Sequence, residues 1–174
     1  LLQAQIEDLL QYNTAAFAPG RLDLSPVNLR TLVEEVVEDQ RLRWEARNIR
    51  VEIHGVVDVA LLDIGKIRII LSNLLANAIH FSSPDGQIRF VVEQTDQQLV
   101  LDCIDEGCGV APDDVDKIFN PFYQGSRQIP AVKKGSGIGL SIVRLLAESH
   151  QGTAALVLST QGAHFRITLP RHQP

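Results

Sequence analysis

Helical and strand-like patterns follow one another along this chain of 174 residues without strict alternation, and that order limits the fold more than any other feature. Residues 87–105 and 153–170 each have the pattern of two strands joined by a polar turn, whereas 63–81 and 137–149 have the apolar spacing of amphipathic helices. Strands that pair with their neighbours in the chain, with helices placed between the pairs, favour an α+β sandwich over a doubly wound sheet.

Two further segments belong to the same predicted domain. Residues 27–48 predict one long helix with an apolar side of valines and a leucine, and 49–55 predict a short alternating strand. We predict a domain boundary near Ser25, because the stretch before it contains Pro-Gly and Ser-Pro breakers.

The first residues have a different pattern from the rest. Leu2, Ile6, Leu9 and Asn13 follow a 4-3-4 spacing, which indicates either a heptad seam or a surface helix that rests on the domain. The predicted organisation is a helical segment at 1–18, a linker at 19–25, a folded domain at 26–170 and a tail at 171–174.

Composition excludes several classes of protein. The chain is 45% hydrophobic and 21% charged, as in a globular domain, and its formal charge of -5 argues against a nucleic-acid binder. No apolar run reaches the roughly 18–20 residues that cross a bilayer, and no signal-peptide pattern opens the chain. Cys103 and Cys108 fit free thiols better than a disulfide. Because the sequence opens in mid-helix and contains no Met, we expect it to be part of a longer protein.

Polar side chains border the apolar side of the helix predicted at 63–81. Asn73, Asn77 and His80 fall on one stripe because a helix advances about 100° per residue. An unpaired polar group beside a core costs roughly 1–3 kcal/mol, so these groups need backbone, water or a ligand as partners. A solvent-exposed flank that tolerates Asn is the alternative.

Two glycine-rich stretches carry a second signal. "DEGCGV" at 105–110 places a carboxylate at a strand end before two glycines, and "KKGSGIGLSIV" at 133–143 places glycines at a helix start. Unpaired N–H groups and the positive end of the helix dipole favour anions at such a start. Alone, each stretch is equally consistent with an ordinary turn or loop.

In combination these stretches resemble the ATP-binding domain of sensor histidine kinases. That domain belongs to a superfamily shared with type II topoisomerases, mismatch-repair ATPases and a heat-shock chaperone. "NLLANAIHFS" resembles the N box, "DEGCG" the first glycine box, "IFNPFYQGS" the F box and "GSGIGLSIV" the second glycine box. The resemblance covers about Asp23 to Pro170. It implies the Bergerat fold, in which a mixed β-sheet packs against three main helices, and it makes 1–18 the end of a dimerisation and phosphoacceptor hairpin.

The resemblance also implies roles for single residues. Asn77 would supply an amide oxygen to Mg²⁺, with Asn73 near the phosphates, and Asp105 would bind the adenine amine and so select ATP over GTP. His80 stands where the family usually has Lys, which predicts a weaker or more pH-dependent phosphate contact. Phe119, Phe122 and Tyr123 would anchor the base of a lid over the nucleotide, and Arg127, Lys133 and Lys134 would clamp the triphosphate.

The glycines would let the backbone pass close to the nucleotide. The full set that the resemblance assigns to ATP binding is Asn73, Asn77, His80, Phe81, Asp105, Gly107, Gly109, Val110, Phe119, Phe122, Tyr123, Arg127, Lys133, Lys134, Gly135, Ser136, Gly137, Ile138, Gly139 and Leu140. Two positions depart from the family pattern: Ala163 replaces a Ser or Thr of the adenine pocket, and Gln124 replaces a common Arg.

The resemblance further separates a kinase from an ATPase. ATP-hydrolysing relatives carry Glu four residues before the metal-binding Asn, where this chain has Asn73, and an amide is no general base. None of the five histidines has the sequence context of a phosphoacceptor. The resemblance therefore implies transfer of the γ-phosphoryl group of Mg-ATP to a histidine on the hairpin, outside this sequence.

The implied partners are that hairpin, a response regulator and a second subunit, and the implied location is the cytoplasmic part of an inner-membrane sensor. Two alternatives remain open. One is a non-enzymatic docking module of the same fold. The other, an anti-sigma-type serine kinase, is disfavoured by the heptad segment and the linker.

Overall fold

The computed structural model describes residues 2–17, 21–127 and 135–172. Its helices are α1 (Leu2–Phe17), α2 (Leu29–Asp39), α3 (Arg41–Glu45), α4 (Ile64–Phe81) and α5 (Gly139–Ser149). Its strands are β1 (Ser25–Asn28), β2 (Arg50–His54), β3 (Val59–Leu62), β4 (Gln87–Gln94), β5 (Gln98–Asp105), β6 (Thr153–Val157) and β7 (His164–Pro170).

A five-stranded sheet forms one layer of the domain, in the order β2-β4-β5-β7-β6. β2 runs parallel to β4, and every other neighbouring pair in this sheet is antiparallel. The apolar residues of β5 and β7 alternate toward one face, where Leu101, Phe165 and Ile167 are buried on the side that α4 and α5 cover, and α2 packs against β2 and β4. This architecture confirms the predicted α+β sandwich with a mixed sheet and three main helices.

Side chains from outside α4 satisfy the backbone groups at both of its ends. Asp63 caps the first turn by accepting a hydrogen bond from the main-chain N–H of Lys66. At the other end, the Arg47 guanidinium donates to the carbonyl oxygens of Ile79, His80 and Ser82. The helix predicted at 63–81 is therefore confirmed, and it is held at a fixed position on the sheet.

The prediction of one long helix over 27–48 is wrong. The first part of this segment is β1, and Asn28 then caps α2 by accepting from the N–H of Thr31. α2 ends before Gln40, whose φ of -101° and ψ of 12° are not helical, and α3 follows. β1 pairs with β3 in a separate two-stranded sheet that the sequence patterns did not indicate.

The N-terminal helix α1 packs against α5 and the segments around it. The Tyr12 and Phe122 rings lie 6.5 Å apart, and the Ser136 hydroxyl donates a 2.6 Å hydrogen bond to Asp8. Leu2 and Ile6 of the heptad pattern are exposed. The division of the chain into a hairpin end, a linker and a catalytic domain stays a prediction. No helix within the described ranges is both long and apolar enough to cross a membrane.

Candidate functional site

A cavity of about 410 Å³ opens between α4, the end of β5, the segment after β5 and the start of α5. It brings together most of the residues selected from the sequence. Those lining it are Asn73, Asn77, His80, Phe81, Asp105, Gly109, Val110, Tyr123, Arg127, Gly135, Ser136, Gly137, Gly139 and Leu140. Gly107, Phe119, Phe122 and Ile138 are not among the lining residues. Lys133 and Lys134 lie outside the described residues.

Asp105 ends β5 and is buried, with only 2% of the residue exposed. Its Oδ1 accepts from the main-chain N–H groups of Gly107 (2.8 Å) and Ala163 (3.1 Å). Burial raises the pKa of this carboxyl group, and the two N–H groups partly counter that rise. Oδ2 receives no hydrogen bond from the described residues, so one oxygen of a fixed carboxylate remains as an acceptor at the cavity.

The amides of α4 differ in how they are held. The Asn73 side chain donates from Nδ2 to the carbonyl oxygen of Ile69 at 2.9 Å, which leaves Oδ1 as an acceptor. A Cβ built on Gly139 would lie 3.1 Å from that Oδ1, so the start of α5 lies directly against Asn73. The Asn77 side chain, half-buried in the cavity wall, makes no hydrogen bond to any described residue. Both amide oxygens are therefore available to a ligand.

His80 lies one turn beyond Asn77 at the same wall, edge-on to the Phe81 ring at 4.7 Å. Burial lowers the pKa of this imidazole, and the nearby positive charges of Arg47 and Arg43 lower it further. Its neutral form is therefore favoured at pH 7. The prediction of a weak or pH-dependent phosphate contact at this position stays a prediction.

Two glycines are needed for contacts that a side chain would prevent. A Cβ on Gly107 would lie 2.3 Å from the carbonyl oxygen of Phe81, where the chain after β5 bridges to the residue after α4. Gly137 has a φ of +75°, and a Cβ there would lie 2.9 Å from the backbone of Phe122. These close approaches hold the first glycine-rich stretch against α4 and the second against residues 119–123, the aromatic segment.

The aromatic segment divides between core and cavity. Phe119 is buried and meets the Phe165 ring edge-on at 6.1 Å, whereas Phe122 is 63% exposed. Tyr123 lines the cavity and donates from its hydroxyl to Asp114, a buried carboxylate. Gln124 donates to the carbonyl oxygen of Gly135, which joins this segment to the second glycine-rich stretch.

Several lining residues were not selected from the sequence. Asp8, Arg43, Asp114 and Ile118 are brought to the cavity by α1, α3 and the turn after β5. Asp8, Arg43 and Asp114 are charged residues on helices and in a turn, where charge is common, so no local pattern marked them. Ile118 lies in the quoted F box but was not selected as a site residue. Ala76, Gly125, Ala163 and Phe165 complete the wall along with Gln124.

Comparison with known proteins gives the same assignment. Residues 62–173 match the family described as "Histidine kinase-, DNA gyrase B-, and HSP90-like ATPase". The chain is 35% identical over 170 residues to the sensor histidine kinase GlrK of Escherichia coli (strain K12), covering 97% of this chain and 36% of that relative.

Two solved structures share the fold. Full-length ShkA in complex with AMPPNP matches with a TM-score of 0.87 and 28% identity over 99% of this chain and 36% of ShkA. The catalytic domain of histidine kinase ThkA, in a nucleotide-free form, matches with a TM-score of 0.76 and 25% identity, covering 87% of this chain and 99% of that domain.

The chain belongs to the family of histidine kinase-, DNA gyrase B- and HSP90-like ATPases. Within that family, its relatives confirm the resemblance to the ATP-binding catalytic domain of a sensor histidine kinase. The chain spans about a third of the length of the relative GlrK, of which it covers 36%.

Proposed function

We propose that this chain binds Mg-ATP and transfers the γ-phosphoryl group to a histidine on a helical hairpin outside this sequence. The observation that carries the proposal is the placement of Asp105 in one cavity with the free amide oxygens of α4 and the glycine-flanked start of α5. A base acceptor, metal-ligand oxygens and a helix N-terminus in one site suit the three parts of a magnesium nucleotide.

Asp105 is the residue proposed to select the base. Its free Oδ2 accepts a hydrogen bond from the exocyclic amine of adenine, whereas the carbonyl oxygen of guanine offers no donor there. A buried acceptor left without its donor costs roughly 1–3 kcal/mol. The site is therefore expected to favour ATP over GTP by about tenfold or more.

The oxygen ligands that the cavity offers suit a magnesium ion. Mg²⁺ keeps several waters and is held by one or two protein oxygens together with substrate phosphates. Among the described residues there is no group of three His, Cys, Asp or Glu side chains placed to bind a metal. Asn77, with its unbonded amide, is the residue that would hold the ion through its Oδ1, and the ion would neutralise phosphate charge.

The proposed reaction is transfer to a protein nucleophile and not hydrolysis. Position 73 holds an amide, which has no capacity to take a proton from water. The contribution of this chain is then to position the nucleotide and exclude water, as in other phosphoryl transfers. Of the described histidines, His150 is buried with both ring nitrogens hydrogen-bonded, which makes it a poor phosphate acceptor.

The wider setting also belongs to the proposal. The names of the relatives favour a two-component sensor, in which the hairpin dimerises and a response regulator receives the phosphoryl group. We place this domain on the cytoplasmic side of an inner-membrane protein for the same reason. The helical segment at 1–18 is then the end of the hairpin.

Calorimetric titration with ATP and GTP, each with and without Mg²⁺, tests nucleotide binding. We expect ATP to bind and Asn77→Ala to abolish the gain in affinity from Mg²⁺. Incubation of the chain with γ-labelled ATP and a separately purified hairpin then tests transfer. Acid-labile label on the hairpin supports the proposal, and label on this chain alone contradicts it.

A non-enzymatic docking module of the same fold is the second candidate. It is favoured by Ala163, which offers no hydroxyl at the Asp105 end of the cavity, and by the neutral tendency of His80. Absence of nucleotide binding in the titration with Mg²⁺ would select this candidate.

A further inference from the structure

Arg43, on the short helix α3, lines the same cavity as the amides of α4. The one recorded hydrogen bond of its guanidinium runs from Nη1 to Oε1 of Gln40 at 3.0 Å. Within the described part of the chain, no carboxylate lies at ion-pair distance from it. The positive charge of Arg43 also helps to lower the pKa of the His80 imidazole. Arg43 is thus an uncompensated cation at the His80 end of the cavity.

Of the other described cationic groups near the cavity, the two arginines donate to backbone carbonyl oxygens and His80 favours its neutral form. Arg47 donates hydrogen bonds to three carbonyl oxygens at the end of α4. Arg127 donates from Nη1 to the carbonyl oxygen of Cys108 at 3.1 Å. Burial and the positive charges of Arg47 and Arg43 lower the pKa of the His80 imidazole, which favours its uncharged form.

The acidic residues of the cavity are occupied as well. Asp8 accepts from the Ser136 hydroxyl, and Asp105 accepts from two backbone N–H groups. Asp114 accepts from Tyr123 and from the N–H and hydroxyl of Ser126. None of these three carboxylates pairs with Arg43, so its charge is open to an anion that enters the cavity.

We propose that Arg43 binds a phosphate oxygen of the nucleotide and is a phosphate-binding residue of this site. A guanidinium presents planar N–H donors whose geometry matches phosphate. Because Arg43 has no carboxylate partner among the described residues, it breaks no ion pair when it binds phosphate. The inference rests on the proposed nucleotide site and adds to it a residue from α3. A solvated arginine on a surface helix is the competing interpretation.

Arg43→Ala and Arg41→Ala form a matched pair for the test. Both remove one positive charge from an exposed position of α3, but Arg41 faces Glu38 and Glu45 and does not line the cavity. Dissociation constants for ATP, AMP and adenosine are measured with Mg²⁺ by displacement of a fluorescent ATP analogue, with thermal melting as the check on folding.

Arg43→Ala is expected to weaken ATP binding by about tenfold, to leave adenosine unchanged, and to exceed the effect of Arg41→Ala. Arg43→Lys keeps the charge without the planar donors and is expected to fall between Arg43→Ala and wild type. On the Arg43→Ala background, His80→Lys supplies a new cation in the same corner and is expected to recover ATP affinity.

The inference is overturned if Arg43→Ala matches Arg41→Ala for ATP, or if it weakens adenosine as much as ATP. In either case the wild type still binds Mg-ATP, so the proposed function stands. If the wild type binds no nucleotide at all, the proposed function fails and the inference fails with it. These two failures are therefore separable in one set of titrations.

Discussion

The hydroxyl group of Tyr123 donates a 2.6 Å hydrogen bond to Oδ1 of Asp114, while Oδ2 accepts from the N–H (2.7 Å) and hydroxyl (2.8 Å) of Ser126. One carboxylate in the turn after β5 therefore holds both the ring that lines the cavity and the chain that follows it. These hydrogen bonds keep the pKa of Asp114 below its usual range. The arrangement depends on the ionised form, because each of its recorded partners is a donor.

Asp114→Asn is expected to loosen this part of the cavity wall. The amide nitrogen would face a donor from Tyr123 or Ser126, so at least one hydrogen bond is lost. We expect several-fold weaker ATP binding, measured by titration, and Tyr123→Phe should shift affinity in the same direction. Asp113→Asn, at the exposed neighbouring position, is the control and should bind ATP like the wild type. Equal affinities for all variants would contradict this role of Asp114.

Asp105→Asn is expected to remove most of the discrimination between ATP and GTP. The N–H groups of Gly107 and Ala163 hold the amide oxygen at the Oδ1 position, so Nδ2 takes the free position and can donate to the guanine carbonyl but cannot accept from adenine. Titration with both nucleotides should show weaker ATP binding and a ratio of the two affinities closer to one. A variant that keeps the wild-type ratio would show that another group reads the base.

Asp102→Ala, in the same strand as Asp105, is expected to lower stability without changing nucleotide selectivity. Asp102 points to the opposite face of β5, where it accepts two hydrogen bonds from Arg166 and one from His164. Because Arg166 is partly exposed, we expect a loss of about 1–2 kcal/mol in the free energy of unfolding, measured in urea, with nucleotide selectivity retained. If folded Asp102→Ala lost its preference for ATP over GTP, the two faces of β5 would not have separate roles in stability and nucleotide selection.

The pH dependence of Asp102 follows from its pKa. Burial alone would raise that pKa, but hydrogen bonds from Arg166 and His164 outweigh burial and hold it below the ordinary value. A depressed folded-state pKa contributes stability that is complete above the unfolded pKa of about 3.9 and is lost as the pH falls through the folded value. Wild type should therefore lose more stability than Asp102→Ala on titration below pH 4, as followed by urea unfolding at each pH.

His150 should make stability fall in a different, milder range of pH. It is buried, and its Nδ1 lies 2.9 Å from the carbonyl oxygen of Leu146 while Nε2 accepts from the N–H of Asp63, which requires the neutral ring. Burial lowers the pKa of this imidazole. The unfolded chain therefore binds a proton first, and stability is lost as the pH falls below about 6.5.

The test of His150 compares slopes of unfolding free energy between pH 7.5 and pH 5. His150→Gln should show a shallower slope than wild type. A His150→Gln slope as steep as that of wild type would assign the pH dependence to other groups, such as His80.

Local patterns were sufficient for the elements whose determinants lie close together in sequence. The apolar spacing in 63–81 predicted α4, and alternation in 87–105 predicted the β4–β5 pair. β1 was missed because its register is set by β3, whose paired residues lie more than thirty positions away. The break at Gln40 has neither Gly nor Pro to signal it.

In the candidate site, too, residues in local sequence patterns were predicted, and residues defined by contacts between separate elements were not. Asn77, Asp105 and the glycines were selected because they form recognisable stretches, and the fold brings all of them except Gly107 to the lining of one cavity. Arg43 and Asp114 were not selected, because what distinguishes them is the presence or absence of a partner in space. Sequence spacing does not report such partners between separate elements.

The two fixed ends of α4 have a consequence for the rates of ligand exchange. Asp63 and Arg47 hydrogen-bond to backbone groups at the two ends of this helix, so we expect the wall that carries Asn73 and Asn77 to be ordered before a ligand binds. The opposite wall is built largely from turns between Gly107 and Arg127. The conformational entropy lost on association should therefore come mainly from that wall, and substitutions there should alter residence time more than substitutions on the helix.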